Sequence, residues 1–423
     1  MIKKWGGLRS HLFTVLFCVG FFGACAQAQP SETVVKTGIE VLREQAFTAL
    51  EGKRVGLITN ATGVDRDLVS TIDILYRAPN VQLVALYGPE HGVRGDVYAG
   101  DEIETNIDEK TSLPVFSLYG KTKKPTPEML NQVDVLVYDI QDIGSRSYTY
   151  ISTLALAIEA AAEQGIELMV LDRPNPLGGE KVAGNIVEEG YFSFVSQLPI
   201  PYIHGLTVGE LAQMINGEGW MDGEGKAHLT VIPMEGWNRS MRFGETGLPW
   251  VPTSPHIPHT YSAYVYGATG IMGELGVLSE GVGYTLPFQV MGSEWADAQE
   301  VATAMYRLGL PGVTFRPVTY RPYYGRNKGE VLEGVQIHIT DYDVVNLMDI
   351  QFYFMQVHHQ LYPEVDVFEL AKDNRIRFFD LVTGTDQIRK RFQQRYLVDD
   401  IRFYLDKDID EFKTRSNLYY LYR

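Results

Sequence analysis

The chain has 423 residues, of which 45% are hydrophobic, a composition typical of a globular protein with a sizeable core. Its net charge of −16 argues against a nucleic acid partner, since a polyanion would be repelled. Its two cysteines, Cys18 and Cys25, both lie in an amino-terminal leader, so the mature chain is expected to lack internal disulfides, thiolate metal sites and a cysteine nucleophile.

Residues 1–29 are predicted to be an export leader. A basic start precedes the apolar run LFTVLFCVGFFGACA, which is too short for a membrane span. Two processing signals end this run. AQA at 26–28 suits an ordinary signal peptidase, and FGAC at 22–25 resembles a lipobox in which Cys25 would be lipidated. Either signal predicts an exported protein, periplasmic or attached to the membrane of the cell envelope through that lipid.

Five short apolar segments in the first half are predicted to be strands, separated by helical patterns. The strands are expected at 53–60, 81–90, 113–120, 134–142 and 166–176, and helices at 66–78 and 147–165. Apolar strands that alternate with helices predict a parallel α/β sheet covered on both faces, Rossmann-like in shape. The first strand–helix turn, TNATGV, matches neither GxGxxG nor GxxxxGK[ST], so no nucleotide cofactor is expected.

Polar residues follow the carboxyl end of each predicted strand. Ligands of open parallel sheets bind in the crevice outside these ends, so we expect the residues to share one site. Any one of them alone is more often a helix cap or a turn former, but caps do not require Arg, Gln and His as well. In chain order they are Asn60 and Thr62; Glu90 and His91; Tyr119; Asp139, Gln141 and Asp142; and Asp172, Arg173 and Asn175.

The loop after the second strand, GPEHGVRGDVYAGD, places charged residues among glycines. A carboxylic acid such as Glu90 can do general acid or base work when burial raises its pKa. His91 could polarise Glu90, donate to a substrate oxygen or bond a backbone carbonyl. Arg94 could bind a ligand carboxylate or pair with Asp96 or Asp101.

The second half is predicted to form a smaller α/β domain. HGLTVGELAQMINGEG is expected to be a helix with Thr207 as its cap and Glu210 in the capping-box position, and HLTVIPMEGW a further strand. We place the domain boundary at PWVPTSPHIP, which gives a catalytic domain at 30–249 and a C-terminal domain at 250–423 that closes the active-site cleft. Within the second domain we expect a loop-rich segment at 249–290, helices at 296–308 and 348–361, and a strand at 330–340.

Six segments resemble the signature blocks of the exo-β-N-acetylmuramidase family of the NamZ type, which removes terminal N-acetylmuramic acid from peptidoglycan fragments. They are LYGPEHGVRGD, SLYG, DVLVYDIQDIGSRSYTYISTLALAIE, VLDRPNPLGG, HGLTVGELAQMIN and LPWVPTSPHIP. The resemblance implies a Rossmann-like domain, a smaller C-terminal domain and an active site between them. It also implies a muropeptide or amino-sugar disaccharide as the substrate and a role in cell-wall turnover.

Carried onto this sequence, the resemblance implies that Glu90 is the catalytic glutamate, which we expect to be the general acid, with His91 and Asp139 beside it. The other residues expected at the site bind substrate, and no metal ligand is expected. These substrate-binding residues are Asn60, Arg94, Gln141, Arg146, Tyr148, Arg173, Asn175 and Glu280.

Two features of the substrate class add expectations. The lactyl carboxylate of N-acetylmuramic acid favours an arginine, and the candidates are Arg94, Arg146 and Arg173. Glycosidases usually employ two carboxylates, and the second is left open between Asp139, Asp142 and Glu280. The 2-acetamido group of the substrate could instead be the nucleophile.

The chain departs from the family pattern in its second half. SPHIP stands where SPNMP is usual, Val282 replaces an arginine, and Gly273–Glu274–Leu275–Gly276 stands where Glu–Gly–Thr–Asn is expected. We expect these changes at the substrate-facing edge of the second domain.

Two other functions are kept as alternatives. A metal-dependent hydrolase would need histidines to converge with Asp139, and no HxH or HExxH spacing supports it. The histidines in question are His91, His204, His256 and His259. A non-catalytic protein that binds cell-wall fragments is the third possibility. The oligomeric state is not predicted.

Overall fold

The computed structural model describes residues 34–95, 106–223 and 225–423, so the predicted leader lies outside the described residues. The strands are β1 Arg54–Thr59, β2 Gln82–Gly88, β3 Asn106–Ile107, β4 Pro114–Ser117, β5 Val135–Asp139, β6 Glu167–Leu171, β7 His228–Ile232, β8 Val290–Ser293, β9 Val313–Tyr320 and β10 Leu332–Ile339. The helices are α1 Gly38–Glu44, α2 Thr71–Arg77, α3 Pro127–Leu130, α4 Tyr150–Gln164, α5 Val208–Glu218, α6 Thr260–Gly273, α7 Ala298–Arg307, α8 Leu347–Leu361, α9 Val367–Leu370, α10 Asp373–Thr383, α11 Gln387–Arg395, α12 Arg402–Asp406 and α13 Ile409–Ser416. Within these residues, no helix combines the length and apolarity that a membrane crossing requires.

The first sheet has seven strands in the order β3-β4-β2-β1-β5-β6-β7. The six strands β4, β2, β1, β5, β6 and β7 pair in parallel, each with the next one in this order. The short edge strand β3 is antiparallel to β4. Strands β2 and β4 lie on one side of β1, and strands β5, β6 and β7, which follow later in the chain, lie on its other side. The order therefore reverses between β1 and β5, which is where open α/β sheets have their crevice. The predicted parallel α/β sheet is confirmed.

Strand β5 illustrates why the parallel strands of this sheet have continuous apolar sequences. All five of its residues are buried, because the sheet is covered on both faces. Val135 and Val137 pack on one face with α1 and α2, whereas Leu136 and Tyr138 pack on the other face with α4 and α5. A strand between two helical layers has no solvent face, so it needs no polar alternation.

Helix ends in the first half follow local side-chain chemistry. α5 begins at the predicted capping box: Thr207 Oγ1 accepts from the Glu210 amide at 3.2 Å, and Glu210 Oε2 accepts from the Thr207 amide at 3.1 Å. α2 is shorter than the predicted 66–78, because Asp65 Oδ1 accepts the amides of Asp67 and Val69 and holds this segment as a turn.

The second half contains a three-stranded antiparallel sheet in the order β8-β10-β9, packed with α6, α7 and α8. The expected smaller second domain of mixed α and β structure is confirmed, although the boundary at 249/250 stays a prediction. The interpretation of 249–290 as loop-rich is wrong in part, because α6 occupies 260–273. Its glycines serve close packing rather than turns: a Cβ on Gly267 would lie 2.9 Å from the Ile203 side chain.

The C-terminal tail returns to the first sheet. The Tyr422 hydroxyl donates to Asp172 Oδ2 at 2.6 Å, just beyond β6, and accepts from the Met234 amide at 2.8 Å. The Leu421 amide donates to Glu210 Oε1 at 3.0 Å, on the first turn of α5. The last residues therefore complete hydrogen bonds of the first sheet and its helices.

Candidate active site

A cleft of about 650 Å³ lies between the two halves of the described chain. The first half contributes the loops after β2 and β4, the start of α4 and a loop at 193–195. The second half contributes residues before and on α6, a loop residue and two residues of α10. The residues lining the cleft are Glu90, His91, Tyr119, Gly120, Lys123, Ser147, Tyr148, Thr149, Tyr150, Ser193, Phe194, Val195, Ser254, His256, Ile257, Tyr266, Glu274, Phe288, Phe378 and Leu381.

The loop after β2 presents Glu90 and His91 to the cleft in a strained turn. His91 is 6% exposed and has a φ of 73°, in the left-handed region that few non-glycine residues adopt. Gly92 follows with a φ of 74°, and its amide donates to the Pro89 carbonyl at 3.0 Å. Strained backbone held by its surroundings is a feature of functional sites. The placement of Glu90 and His91 in the cleft agrees with the expected position, while their catalytic roles remain a prediction.

Glu90 is surrounded by groups that interact with a carboxylate. Burial first, and then the charge and hydrogen bond of Glu90, raise the pKa of Tyr119 to about 12, so Tyr119 remains a hydrogen-bond donor at neutral pH. The charge of Glu90 also contributes, after burial, to raising the pKa of Tyr150. Across the cleft, burial lowers the pKa of His256; the charge of His91 adds to this effect and that of Glu90 opposes it.

An aromatic wall forms where α4 begins. Tyr148 makes edge-to-face contacts with Tyr150 and Tyr266, with ring centroids 5.1 and 5.9 Å apart. The hydroxyl of Tyr148 donates to Thr253 Oγ1 at 2.7 Å, and that of Tyr150 to the Thr253 carbonyl at 2.7 Å. Tyr148 is partly exposed and can offer its ring to the apolar face of a sugar, whereas Tyr150 is 3% exposed and belongs to the core that holds it in place.

Glu274 brings a second carboxyl group into the cleft from the end of α6. The Glu274 side chain is still 29% exposed. Its partial removal from water, with a smaller contribution from the charge of Glu280, raises its pKa to about 7, although Arg375 opposes the shift. Arg375 Nη2 donates to Glu274 Oε2 at 2.9 Å. Glu280, which the sequence placed at the site, does not line the cleft and pairs with Arg326 instead.

None of the three arginines expected to bind the substrate carboxylate lines the cleft. Arg94 Nε and Nη2 donate to the two carboxylate oxygens of Asp108 at 2.6 and 3.0 Å. Asp96 and Asp101, the partners that the sequence makes available to Arg94, lie outside the described residues. Arg94 therefore links the loop after β2 to the residues just before β4.

Arg146 is 1% exposed and donates to backbone carbonyls from two parts of the chain. Its Nη1 atom reaches Asn185 and Ile200 at 2.6 and 2.7 Å, and its Nη2 atom reaches Val382 and Thr383 at 3.0 and 2.9 Å. Burial without an acidic partner lowers its pKa to about 10. Since the last two carbonyls end α10, Arg146 positions the helix that carries Arg375.

Asp139 and Arg173 form a buried pair beside the cleft. Arg173 Nε donates to Asp139 Oδ1 at 2.5 Å and Arg173 Nη2 to Asp139 Oδ2 at 3.0 Å, while Thr71 Oγ1 donates to the same Oδ2 at 2.5 Å. With both oxygens occupied and 0% exposure, Asp139 is held away from the cleft. The arrangement favours a positioning role over the expected catalytic one.

The other polar residues expected at the strand ends form hydrogen bonds with backbone amides and carbonyls. Asn60 Oδ1 accepts from the Thr62 amide at 2.9 Å, and Gln141 Nε2 donates to the Pro174 carbonyl at 2.7 Å. Asn175 Nδ2 donates to the Leu206 carbonyl at 3.0 Å. Thr62, Gln141 and Arg173 line a separate crevice of about 20 Å³, too small for a sugar. The polar residues at the strand ends therefore do not all share one site. The residues that follow β2 and β4 line the cleft, whereas the residues that follow β1, β5 and β6 hold the surrounding backbone in place.

The sequence does not predict a substrate contact for Lys123 or Tyr266, although both line the cleft. Glu274 and His256 line it as well, which agrees with the expectation that the altered segments Gly273–Gly276 and SPHIP lie at the substrate-facing edge of the second domain. A signal existed for Glu274, which is an acidic residue directly after the long apolar run of α6. Nothing in the sequence distinguishes Lys123 from its neighbours Lys121 and Lys124.

Among residues 34–95, 106–223 and 225–423, no group of three or more His, Cys, Asp or Glu side chains is arranged to hold a metal ion. His204, one of the histidines considered, is 1% exposed, and its Nε2 atom lies 3.4 Å from Asp142 Oδ2. Its Nδ1 atom accepts from the Leu206 amide at 3.2 Å.

Comparison with known proteins gives matches over nearly the whole chain. The family described as exo-beta-N-acetylmuramidase NamZ matches with its N-terminal part at residues 55–261 and its C-terminal part at 264–422. The peptidoglycan beta-N-acetylmuramidase NamZ of Bacillus subtilis (strain 168) is 44% identical, covering 98% of this chain and 100% of that protein.

Two crystal structures of DUF1343 family proteins from Bacteroides fragilis NCTC 9343 are also similar. One is 58% identical with a TM-score of 0.89 and covers 93% of this chain and 100% of its own. The other is 30% identical with a TM-score of 0.72 and covers 92% of this chain and 99% of its own.

Proposed function

The chain belongs to the exo-β-N-acetylmuramidase NamZ family, and from this premise we propose that it is an exo-acting glycoside hydrolase that releases terminal β-linked N-acetylmuramic acid from peptidoglycan fragments. The family expected from the six motif blocks is thereby confirmed. Neither the family matches nor the described site favours the metal-dependent hydrolase or the non-catalytic binding protein.

The observation that carries the proposal is a cleft with a carboxyl group from each half of the chain and an aromatic wall beside them. Glu90 comes from the loop after β2 and Glu274 from the end of α6. Glycosidases that use two carboxyl groups hold them on either side of the scissile bond. Tyr148, which is partly exposed at the cleft, can pack against a sugar ring placed between the two carboxyl groups.

The environments of the two carboxyl groups suggest different roles. Glu274, with a pKa raised by burial to about 7, keeps a proton available near neutral pH and can give it to the leaving-group oxygen. Glu90, which accepts a hydrogen bond from Tyr119, can act as the anionic partner that assists water or the anomeric carbon. This assignment moves the general acid from Glu90, where the sequence placed it, to Glu274.

Chromogenic sugars test the activity. Purified protein is incubated with aryl β-N-acetylmuramide and, separately, with the matching β-N-acetylglucosaminide. We expect release of the phenol from the muramide at a much higher kcat/KM. Release from the glucosaminide alone would contradict the proposed specificity, and release from neither would contradict the activity.

We propose as well that the protein is exported and works in the cell envelope. The support is the predicted leader at 1–29, with its AQA and FGAC processing signals. Fractionation of producing cells, with Cys25→Ser beside the natural sequence, tests both signals. Loss of membrane association in Cys25→Ser alone indicates lipidation, whereas a cytoplasmic, uncleaved chain contradicts export.

A further inference from the structure

The proposed substrate creates an electrostatic problem in the cleft. N-Acetylmuramic acid differs from N-acetylglucosamine by a lactyl ether that carries a carboxylate. The cleft contains Glu90 and Glu274, and the protein as a whole has a net charge of −16. A substrate anion would be repelled unless a cation faced it. The three arginines expected for this purpose are all engaged elsewhere.

Lys123 is the one lysine or arginine among the described residues that line the cleft. It lies in the loop at 118–126 between β4 and α3, and it is partly exposed. Its Nζ atom lies 4.3 Å from the ring centroid of Phe194, which also lines the cleft. No acidic side chain of the described chain pairs with Lys123, so its ammonium group can accept an anionic partner.

The loop that carries Lys123 is fixed on both sides of it. Tyr119 hydrogen-bonds Glu90, and Lys124 Nζ donates to Glu159 Oε1 at 2.6 Å and to Glu163 Oε1 at 2.9 Å on α4. Phe194 is anchored as well, since its carbonyl accepts from Ser152 Oγ at 2.7 Å. The two adjacent lysines therefore have different partners. Lys124 forms ion pairs with α4, whereas Lys123 lies against an aromatic face of the cleft.

We propose that the Lys123 ammonium group binds the lactyl carboxylate and so determines that the enzyme accepts muramic over glucosaminyl substrates. The inference rests on the proposed function for its substrate. A lysine is a compact point charge with a flexible stem, so it can follow a lactyl group that rotates about its ether bond. The partial positive charge at the start of α4, at Thr149 and Tyr150, lies on the same cleft.

The test compares Lys123→Met with Lys110→Met. Lys110 is exposed in the turn before β4 and does not line the cleft, so its replacement controls for the change in net charge. The substrates are the aryl β-N-acetylmuramide, its lactyl methyl ester and the aryl β-N-acetylglucosaminide. Loss of one hydrogen-bonded charge contact should lower kcat/KM for the muramide roughly 10- to 100-fold. Rates on the ester and the glucosaminide should change little, and Lys110→Met should match the natural protein.

Two further measurements keep the proposal open to refutation. Lys123→Arg should recover most of the preference for the muramide, which a merely structural lysine would not require. Calorimetric titration with free N-acetylmuramic acid and N-acetylglucosamine gives a reading without turnover. We expect tighter binding of the acid, lost in Lys123→Met. Binding that depends on Lys123 in a protein without hydrolysis would support this inference and contradict the proposed function. Equal muramide preference or equal binding in Lys123→Met, at unchanged thermal stability, would overturn the inference.

Discussion

Arg375 Nη2 donates to Glu274 Oε2 at 2.9 Å, and this contact joins α10 to the end of α6 at the wall of the cleft. Glu274 is therefore subject to two opposed influences. Burial favours its protonated form, whereas the guanidinium group favours its anion. Because burial has the larger effect, the pKa lies near 7, where a carboxyl group can both donate and recover a proton within one catalytic cycle.

Glu274→Gln should lower turnover of a natural muramyl disaccharide by about 10²–10⁴-fold, the usual contribution of a positioned acid. The loss should be much smaller for an aryl muramide with an activated phenol, since this leaving group needs little protonation. Rates on the two substrates, measured beside thermal unfolding, check the prediction. Equal losses on both would argue against proton donation by Glu274.

Glu90→Gln should abolish most activity on both kinds of substrate, because an anionic group that assists water or the anomeric carbon is needed whatever the leaving group. The glutamine keeps the size of the side chain and can still receive the Tyr119 hydroxyl. We therefore expect an unchanged melting temperature. A loss confined to the natural disaccharide would return the role of general acid to Glu90, as the sequence first predicted.

The pH dependence of kcat should follow the ionisation of Glu274. The acid must be protonated to act, so activity should fall as pH rises through about 7. Arg375→Met removes the cation that lowers this pKa, and the alkaline limb should move upward by about one pH unit. Arg377→Met is the matched control, because Arg377 lies on the same helix and donates to the Gly190 carbonyl. An alkaline limb that does not move in Arg375→Met would show that another group titrates there.

Asp139→Asn should cost about 3–5 kcal/mol of unfolding free energy, because it leaves the guanidinium of Arg173 buried without its anion. Asp134→Asn, at the residue just before the other end of this strand, breaks an exposed pair with Arg54 and should change stability little. Denaturant unfolding of both variants checks this contrast. If Asp139→Asn lost activity while its stability stayed unchanged, Asp139 would regain the catalytic role expected from the sequence.

The first sheet was predictable because its strands are apolar on both faces and its helices carry local signals. Thr207 and Glu210 are three residues apart, so their capping box can be recognised without tertiary information. In contrast, α6 lies in a segment that the sequence predicts to be loop-rich, and it contains Gly267 and Gly270, which are unfavourable inside a helix. Only the approach of Ile203 and Tyr202 explains why these positions need glycine.

The position of a site residue could be predicted where it depends only on the strand that precedes the residue, as the position of Glu90 depends on β2. It was not predictable where function depends on which partner a charge meets. Arg94, Arg146 and Arg173 have the chemistry to bind a carboxylate, but Asp108, backbone carbonyls and Asp139 occupy them. These partners lie 14 to 237 positions away in the chain, so no local pattern reveals them.

The hydrogen bonds between the C-terminal tail and the first half of the chain bear on the order of folding. They join Leu421 to Glu210 and Tyr422 to Asp172, across 211 and 250 positions of the chain. Closing loops of this length costs conformational entropy before the contacts contribute any stability, so such contacts form slowly. We therefore expect the tail to dock onto β6 and α5 after the strands of the first sheet have paired.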